Sequence, residues 1–531
     1  MGVDAATSTS GFPVKDLKSG FLVFLIALPL CLGIAMASGF PPVAGVLTAI
    51  IGGVIVTLLG SARLTIKGPA AGLIVIAIGA VQELGQGDLV MGYKRALAVG
   101  VIAACIQILF ALLRAATIGV AMSPSVVHGM LAAIGVIIIS KQAHTMVGVA
   151  PEAKGPLALL AEIPHSLLHA NPAVLAIGGL SLILLFCWPL LRFRWAKLIP
   201  APIVVLLLVV PLGMWLGFDH AHEYQVLGST YEVGPEYLVQ LPGSLLDAIA
   251  FPDFSVVFSL VSLKYVVMFA LVGTIESTLS VLAVDAMDPK KEASDLNRDL
   301  LALSVGNLIA ALVGGLPMIS EIVRSKANID AGAQTRWSNF SHGAYLLIFI
   351  ALLPGLLGKI PLAALAAMLV YTGVRLASPS EFVHAKQLGI DQLALFLVTL
   401  VVTLASDLLL GVATGLALKV VLHLARGVSL RSLFRSKVEV ERSDEVISVT
   451  VHGAATFMAL LSVRRALVDV PETVREVRVE LADTSLVDHT FLSRLESMSQ
   501  EWSHARLNLC GLESFSAASE HRHAARRKVA S

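Results

Sequence analysis

Along most of the chain, apolar residues neither alternate with polar ones nor recur every three or four positions. They run together in stretches near the roughly 18–20 residues needed to cross a hydrocarbon core, with charge held in the gaps. Fourteen such stretches are predicted as helices. They fall at 21–38, 42–60, 68–82, 96–113, 125–140, 172–187 and 199–217, then at 265–284, 299–313, 319–330, 340–357, 361–376, 391–406 and 409–426. The third and tenth are short and broken. One is headed by Leu64-Thr65-Ile66-Lys67-Gly68-Pro69-Ala70-Ala71-Gly72, the other by Gly314-Gly315-Leu316-Pro317-Met318-Ile319-Ser320-Glu321-Ile322-Val323-Arg324-Ser325. Each has Gly and Pro at its head and charge where charge is expensive. Interrupted segments at corresponding places of two halves are the sequence mark of a transporter binding site.

Composition narrows the class. At 56% hydrophobic and 14% charged, the 531 residues are too apolar for a soluble protein and imply a chain embedded in a lipid bilayer. The net charge of +1 gives no reason to expect nucleic acid as a partner. Cys31, Cys105, Cys187 and Cys510 are scattered and form neither a disulfide framework nor a zinc pattern. The N-terminus through Asp16 lacks the basic region of a signal peptide, so Phe21–Ser38 reads as a retained helix. Lys and Arg follow the even-numbered segments (Arg192, Arg194, Lys197; Lys290, Lys291, Arg298; Arg375, Lys386). The stretch 218–263 carries Asp219, Glu223, Glu232, Glu236, Asp247 and Asp253 but no Lys or Arg. The positive-inside rule then puts both termini in the cytoplasm, and seven segments on each side of the outside loop give two halves of opposite topology.

From Lys437 the pattern changes. Val438–Val440, Val446–Val451, Val474–Leu481 and Arg506–Cys510 alternate like strands, while Phe457–Leu467 and Asp488–Trp502 read as helices. A membrane domain over 1–430 is thus followed by a small α/β domain over 437–515. The basic tail over 516–531 (His521, Arg522, His523, Arg526, Arg527, Lys528) is expected to be disordered and to face lipid.

The chemistry concentrates in the broken segments. A half-helix starting inside the membrane offers unpaired N–H groups and the positive end of its dipole, so two that converge form an anion site without base, nucleophile or metal. Gly68-Pro69 and Gly315-Leu316-Pro317 are expected to start those half-helices. Arg324, inside the tenth segment, is the expected anion-attracting charge. Glu276, flanked by hydroxyls in segment eight, is an intramembrane acid and so a candidate for proton or cation coupling. Lys67 and Glu321 each head a half-helix. Inverted halves would bring them together as a salt bridge, either structural or with Glu321 as a proton or cation site. Asp407, Asp219-His220-Ala221-His222-Glu223, His128 and His144 read as interface, loop or helix-end residues. No zinc set or nucleophile–base pair is visible, so no enzyme is expected.

The run Lys67-Gly68-Pro69-Ala70-Ala71-Gly72 resembles the third-helix motif of the SulP family of inorganic anion transporters. So do Ile275-Glu276-Ser277-Thr278-Leu279-Ser280, Asn307, Gly314-Gly315-Leu316-Pro317 and Arg324-Ser325-Lys326-Ala327-Asn328-Ile329. The resemblance implies an α-helical membrane fold of fourteen segments in seven-plus-seven inverted repeats. In it a core domain moves against a gate domain, usually in a homodimer. It assigns Lys67, Gly68, Pro69, Ala70, Ala71, Ile322 and Arg324 to substrate. It assigns Glu276, Ser280, Ser320 and Glu321 to the coupling ion, with Glu276 and Ser280 holding Na+ where sodium is used. Residues 437–515 resemble the STAS domain of that family, with Val487-Asp488-His489-Thr490-Phe491-Leu492 in place of Asp-Ser-Ser-Gly-Leu. His489 thus replaces the serine that soluble relatives phosphorylate. Lys67 stands where Ser is usual and Glu321 where a small residue is usual. The run from Gly314 is like that of bacterial members, which implies the inner membrane and favours bicarbonate ahead of sulfate. The expected function is secondary active transport of a small inorganic oxyanion coupled to Na+ or H+, with elevator-type alternating access. A nucleobase carrier of the same fold and an anion channel or exchanger are the alternatives; Arg324 argues against a neutral base.

Overall fold

A computed structural model describes the chain outside residues 1–13, 117–122, 154, 193–198, 227, 242–245, 291, 435, 468–469, 472, 500–504 and 529–531. Arg194, Lys197 and Lys291, used above for orientation, and the end of the helix expected to reach Trp502 lie outside the described residues.

The first half contains α1 (Val14–Ala37), α2 (Pro42–Ile51), strand β1 (Ile66–Pro69), α3 (Ile74–Gly85), α4 (Leu89–Leu112), α5 (Pro124–Met146), α6 (Pro156–Leu168), α7 (Pro172–Cys187) and α8 (Ala201–Trp215). A hairpin of β2 (His222–Val226) and β3 (Ser229–Val233) follows. The second half contains α9 (Leu260–Met287), α10 (Leu296–Val313), β4 (Met318–Glu321), α11 (Ile322–Asp330), α12 (Trp337–Leu352), α13 (Leu362–Leu376), α14 (Pro379–Leu388), α15 (Ile390–Ala405) and α16 (Leu408–Ala425). Each of the fourteen predicted stretches therefore holds a helix. Among the described residues, nine helices are long and apolar enough to cross a membrane. Starts are set locally: Asp88, Asn171, Ser259, Asp295 and Asp407 cap α4, α7, α9, α10 and α16 with side-chain oxygens.

Packing sorts these helices by position within their half. Helices α1–α4 pack with α9–α12, and α5–α8 pack with α13, α15 and α16. Close approach inside the first bundle depends on small residues. Gly53, in a π-helical turn (Gly52–Val56) that extends α2, faces Gly343 of α12, and a Cβ there would lie 2.5 Å from the Gly343 Cα.

After α16 the chain forms β5 (Lys437–Arg442), β6 (Val446–Ala455), α17 (Phe457–Ala466), β7 (Glu476–Glu480), β8 (Thr484–Val487), α18 (His489–Ser499), β9 (Arg506–Cys510), β10 (Phe515–Ala517) and β11 (Arg526–Lys528). The sheet runs β10-β11-β8-β6-β7-β9, with β5 also on β6. The tail expected to be disordered is instead two strands. Its β11 adds to the edge of β8, Ala524 and Ala525 are buried, and Glu496 of α18 takes both Arg522 and His523. Lys528 Nζ, on β11, donates to the Ala482 carbonyl at 2.6 Å.

This domain is held to the membrane helices by a buried ion pair. Lys419 Nζ of α16 lies 2.7 Å from Asp488 Oδ2 and 2.8 Å from Thr490 Oγ1, while His423 Nε2 is 3.8 Å from Asp488 Oδ1. Burial alone would push the Asp488 carboxyl up, but Lys419 and His423 more than reverse this and hold it below the ordinary carboxylate range. A depressed carboxyl contributes stability above its unfolded pKa, so this contribution is present at neutral pH and is lost as pH falls from the ordinary carboxylate range through the lower folded value. Lys419→Met alone strands a buried carboxylate and is expected to cost about 3–5 kcal/mol. The Lys419→Met/Asp488→Leu pair should recover most of that loss. Thermal unfolding in detergent and hydrogen exchange across residues 426–455 measure both.

Candidate functional site

The two broken segments meet. β1 and β4 pair antiparallel, Ile66 opposite Glu321, Lys67 opposite Ser320, Gly68 opposite Ile319 and Pro69 opposite Met318. The Ala70 N–H continues the ribbon to the Pro317 carbonyl at 3.3 Å. A 3-10 turn at Ala71–Leu73 then leads into α3, and α11 starts at Ile322 directly after β4. Gly68-Pro69 and Gly315-Leu316-Pro317 therefore do not start the half-helices as expected. They lie in and before the ribbon, because unwound backbone inside the bilayer needs partners and the two breaks supply them to each other. Neither half-helix is capped by the side chain of its own N-cap residue.

The ribbon sorts its charges by face. Opposed residues in an antiparallel pair share a face and neighbours alternate. Lys67 and Ser320 project together: Lys67 Nζ is 2.6 Å from Ser320 Oγ and 2.5 Å from Asp299 Oδ2 of α10, both ends of the ion pair being buried. Ser277 Oγ of α9 donates to Ser320 Oγ at 3.0 Å. Lys67 does not pair with Glu321, because Glu321 opposes Ile66 and leaves by the other face. The expected salt bridge is corrected to Lys67–Asp299, and the Lys67 ammonium is turned from the half-helix starts.

On the other face, Arg324 is 2% exposed. Its Nη1 contacts Cys31 Sγ of α1 at 3.5 Å, its Nε has no partner, and no carboxylate among the described residues lies within ion-pair distance. A Cβ on Gly68 would lie 2.5 Å from Nη1, so the bare glycine lets the guanidinium lie in this position against β1. Glu276 of α9 is buried with both oxygens unpartnered, and a Cβ on Gly72 would lie 2.0 Å from Oε1. Ser280 is buried four residues further along α9. Glu321 faces the Ala71 N–H, is in electrostatic contact with Arg324 and Glu276, and has Oε1 unpartnered. Ala70 is buried at the end of the ribbon and Ile322, at the first turn of α11, is exposed. The structure thus gathers Gly68, Ala70, Ala71, Glu276, Glu321 and Arg324 and sets Lys67 and Ser320 apart.

Sequence reasoning missed the supports. Asp299 reads as a first-turn acid of α10, and nothing local marks it as the partner of Lys67. Cys31 and the buried His342, whose ring nitrogens have no partner, carry no signal beyond an apolar helix. Asn328 Nδ2 holds the Leu64 carbonyl at 3.0 Å, and Ser325 Oγ accepts from the Ile66 N–H at 2.8 Å; both sit in the run that begins at Arg324. The bland readings stand: Asp407 caps α16, His128 pairs with Glu381 at 2.7 Å, and His144 bonds Ser166 at 2.7 Å. A cleft of about 640 Å³ runs along α3 from Val75 to Glu83, between α3 and α9 on one side and α5 and the α15–α16 turn on the other. It ends about one helical turn from Ala71.

A family model described as the sulfate permease family matches residues 14–401. The chain belongs to the sulfate permease family. This member is 26% identical over 461 residues to YvdB of Bacillus subtilis, named as a sulfate transporter, spanning 86% of this chain and 82% of YvdB. It is 25% identical over 441 residues to the bicarbonate transporter BicA of Picosynechococcus sp., spanning 82% and 74%. Two solved structures share the fold. The transmembrane domain of a cyanobacterial BicA matches with a TM-score of 0.62 at 24% identity, covering 75% of this chain and 97% of that one. SLC26A9 matches with a TM-score of 0.66 at 15% identity, covering 94% and 84%. Membership makes the protein a multi-pass anion transporter and not an enzyme.

Lys67→Ala leaves Asp299 buried and unpaired and is expected to cost about 3–5 kcal/mol of stability. Lys67→Met with Asp299→Leu should restore folding without restoring the Ser320 contact. Melting temperatures of the single and double variants in detergent read out the coupling.

Proposed function

We propose that this sulfate permease family member is a secondary active transporter of a small inorganic oxyanion, bicarbonate first and sulfate next, coupled to Na+ or H+. One observation carries the reading: a buried guanidinium with no carboxylate partner lies against the ribbon from which two uncapped half-helices start. An unpaired buried cation is costly unless an anion completes it, and N–H groups at helix starts complete the anion's shell. The names of YvdB and BicA supply the two candidate substrates. A neutral nucleobase leaves Arg324 unneutralised, which sets that reading aside.

The coupling ion is assigned to Glu276 and Ser280. A buried carboxylate with both oxygens free beside a buried hydroxyl suits Na+ or a proton, either being carried with the anion and not held as a resident cofactor. Alternating access in this reading is elevator-like. The bundle of α1–α4 and α9–α12 carries the ribbon past the bundle of α5–α8, α13, α15 and α16, and the cleft along α3 is one mouth. Fourteen spans in two inverted halves, a bacterial inner-membrane location, cytoplasmic termini, a STAS identity for residues 437–515 and a homodimer complete the proposal.

Arg324→Ala should weaken anion binding at least about tenfold, the order expected for loss of a charge-assisted contact. Proteoliposome uptake of labelled bicarbonate and sulfate under separate Na+ and H+ gradients, with binding measured in parallel, tests this; near-normal affinity in the variant refutes the site. Glu276→Gln should leave anion binding measurable while removing dependence of uptake on the cation gradient. Unchanged cation dependence counts against the coupling assignment.

A further inference from the structure

A row of imidazoles links the C-terminal tail to the membrane helices. His384 of α14 meets the His521 ring edge to face with centroids 5.9 Å apart, the His521 and His523 rings lie 5.4 Å apart, and His523 lies 6.4 Å from His489. Hydrogen bonds fix the turn that carries the middle two. Ser519 Oγ donates to the Gln387 and Leu388 carbonyls at the end of α14, at 2.8 and 3.0 Å, and accepts the His521 N–H at 3.2 Å. The His523 N–H in turn donates to His521 Nδ1 at 3.1 Å, which only an unprotonated nitrogen can accept. His523 is held differently. Its Nε2 pairs with Glu496 of α18, which also takes Arg522 Nη2 at 2.7 Å, and its carbonyl lies 2.9 Å from His489 Nδ1. A proton on His523 therefore tightens the tail on its own domain. A proton on His521 Nδ1 removes the acceptor that closes the turn.

We propose that His521 is a pH-sensitive latch: neutral, it holds the tail on the end of α14, and protonated, it lets α14 go while Glu496 keeps the tail on the C-terminal domain. The titratable and charged groups that face His521 are His384 from α14, Glu496 from α18 and, within the tail, Arg522 and His523. Partial burial, then His523, His384 and Arg522, hold its imidazole below the ordinary value, and Glu496 offsets them only in part. A base lowered in the folded state contributes stability above its unfolded pKa, so docking is full at neutral pH and weakens as pH falls through the ordinary imidazole range. The buried Lys419–Asp488 pair is unaffected there, because its carboxyl is held below the ordinary carboxylate range and stays ionised. Acid thus loosens one attachment of the C-terminal domain to the membrane helices and leaves the other in place. The inference does not depend on which anion is carried.

The test is hydrogen exchange of the full-length protein in detergent, with every rate divided by its intrinsic value at the same pH. It is read at the His521, His523 and Ala524 amides and across the last turn of α14, whose carbonyls Ser519 caps. Between about pH 7.5 and about pH 5.5 the neutral fraction of an imidazole with a pKa of about 6.5 falls about tenfold, and protection of the tail amides should fall by up to that factor. Protection at the end of α14 should fall over the same range, while β6 and β7 stay protected, which separates release from unfolding. His521→Asn, which cannot charge and offers an oxygen in place of Nδ1, should hold its protection at the lower pH. His521→Lys, always charged and without an acceptor, should show low protection at both. Glu496→Gln should keep the pH dependence, since the sensor is not the His523 pair. Wild-type protection that changes by less than about twofold overturns the inference. So does a fall in His521→Asn equal to that of wild type, or a fall in the tail with none at α14.

Discussion

A peptide group in hydrocarbon has no water to fall back on, so a helix that breaks in mid-membrane must find other partners for the backbone it unwinds. Here two breaks answer each other. Residues 66–69 and 318–321 form a four-residue antiparallel ribbon, extended by Ala70 to Pro317. Side chains then fix its surroundings: Thr48 Oγ1 takes the Leu316 N–H at 2.7 Å, Asn307 Oδ1 the Met318 N–H at 2.7 Å, and Asn339 Oδ1 the Lys67 N–H at 3.3 Å. Because the ribbon holds both half-helix starts, their separation is set by strand pairing and not by the looser packing of helices. The two half-helix starts are therefore held in place as rigidly as neighbouring strands of a sheet.

The pleat of that ribbon also decides which charges meet. Its alternation sends Lys67 and Ser320 to one side, where Asp299 and Ser277 close a compact network that ties β1, β4, α9 and α10 together. The same alternation sends Glu321 to the other side with Arg324 and Glu276. Slipping the register by one residue would exchange the two sets, turning Lys67 toward Arg324 and Glu321 toward Asp299. Gly68 and Gly72 complete the arrangement, each admitting a charged side chain where a methyl group would collide with it.

Much of this was legible in the sequence, and the gaps have physical causes. Apolar runs of spanning length gave the helices because the bilayer imposes that length. The broken segments stood out because Gly, Pro, Lys67, Glu321 and Arg324 are costly there. The ribbon was not legible: four residues containing a proline offer no alternation long enough to read as a strand, and their partner lies some 250 residues away. Without the ribbon its pleat could not be inferred, so Lys67 and Glu321 looked like partners when they are on opposite faces. Asp299 and Cys31 act through tertiary contact alone. In the C-terminal domain the alternating strands were readable. Strands β10 and β11 were not, since Arg526-Arg527-Lys528 is a strand only because the edge of β8 and Glu496 are there to receive the tail.

The joint between the two domains constrains motion as well as stability. At Asp488-His489-Thr490 the three residues are 0%, 3% and 0% exposed and their polar atoms face α16 and the tail. A loop so buried is a contact and not a modification site. Its membrane partner, Lys419, is on α16, and the other bridges fall nearby: Ser519 Oγ donates to the Gln387 carbonyl of α14 at 2.8 Å, and the rings of His384 of α14 and His521 of the tail meet edge to face with centroids 5.9 Å apart. Both α15 and α16 belong to the bundle that lacks the ribbon, and α14 packs on α15. The C-terminal domain is therefore fastened to the bundle that does not carry the ribbon. A displacement of the ribbon relative to that bundle would therefore also be a displacement relative to the C-terminal domain.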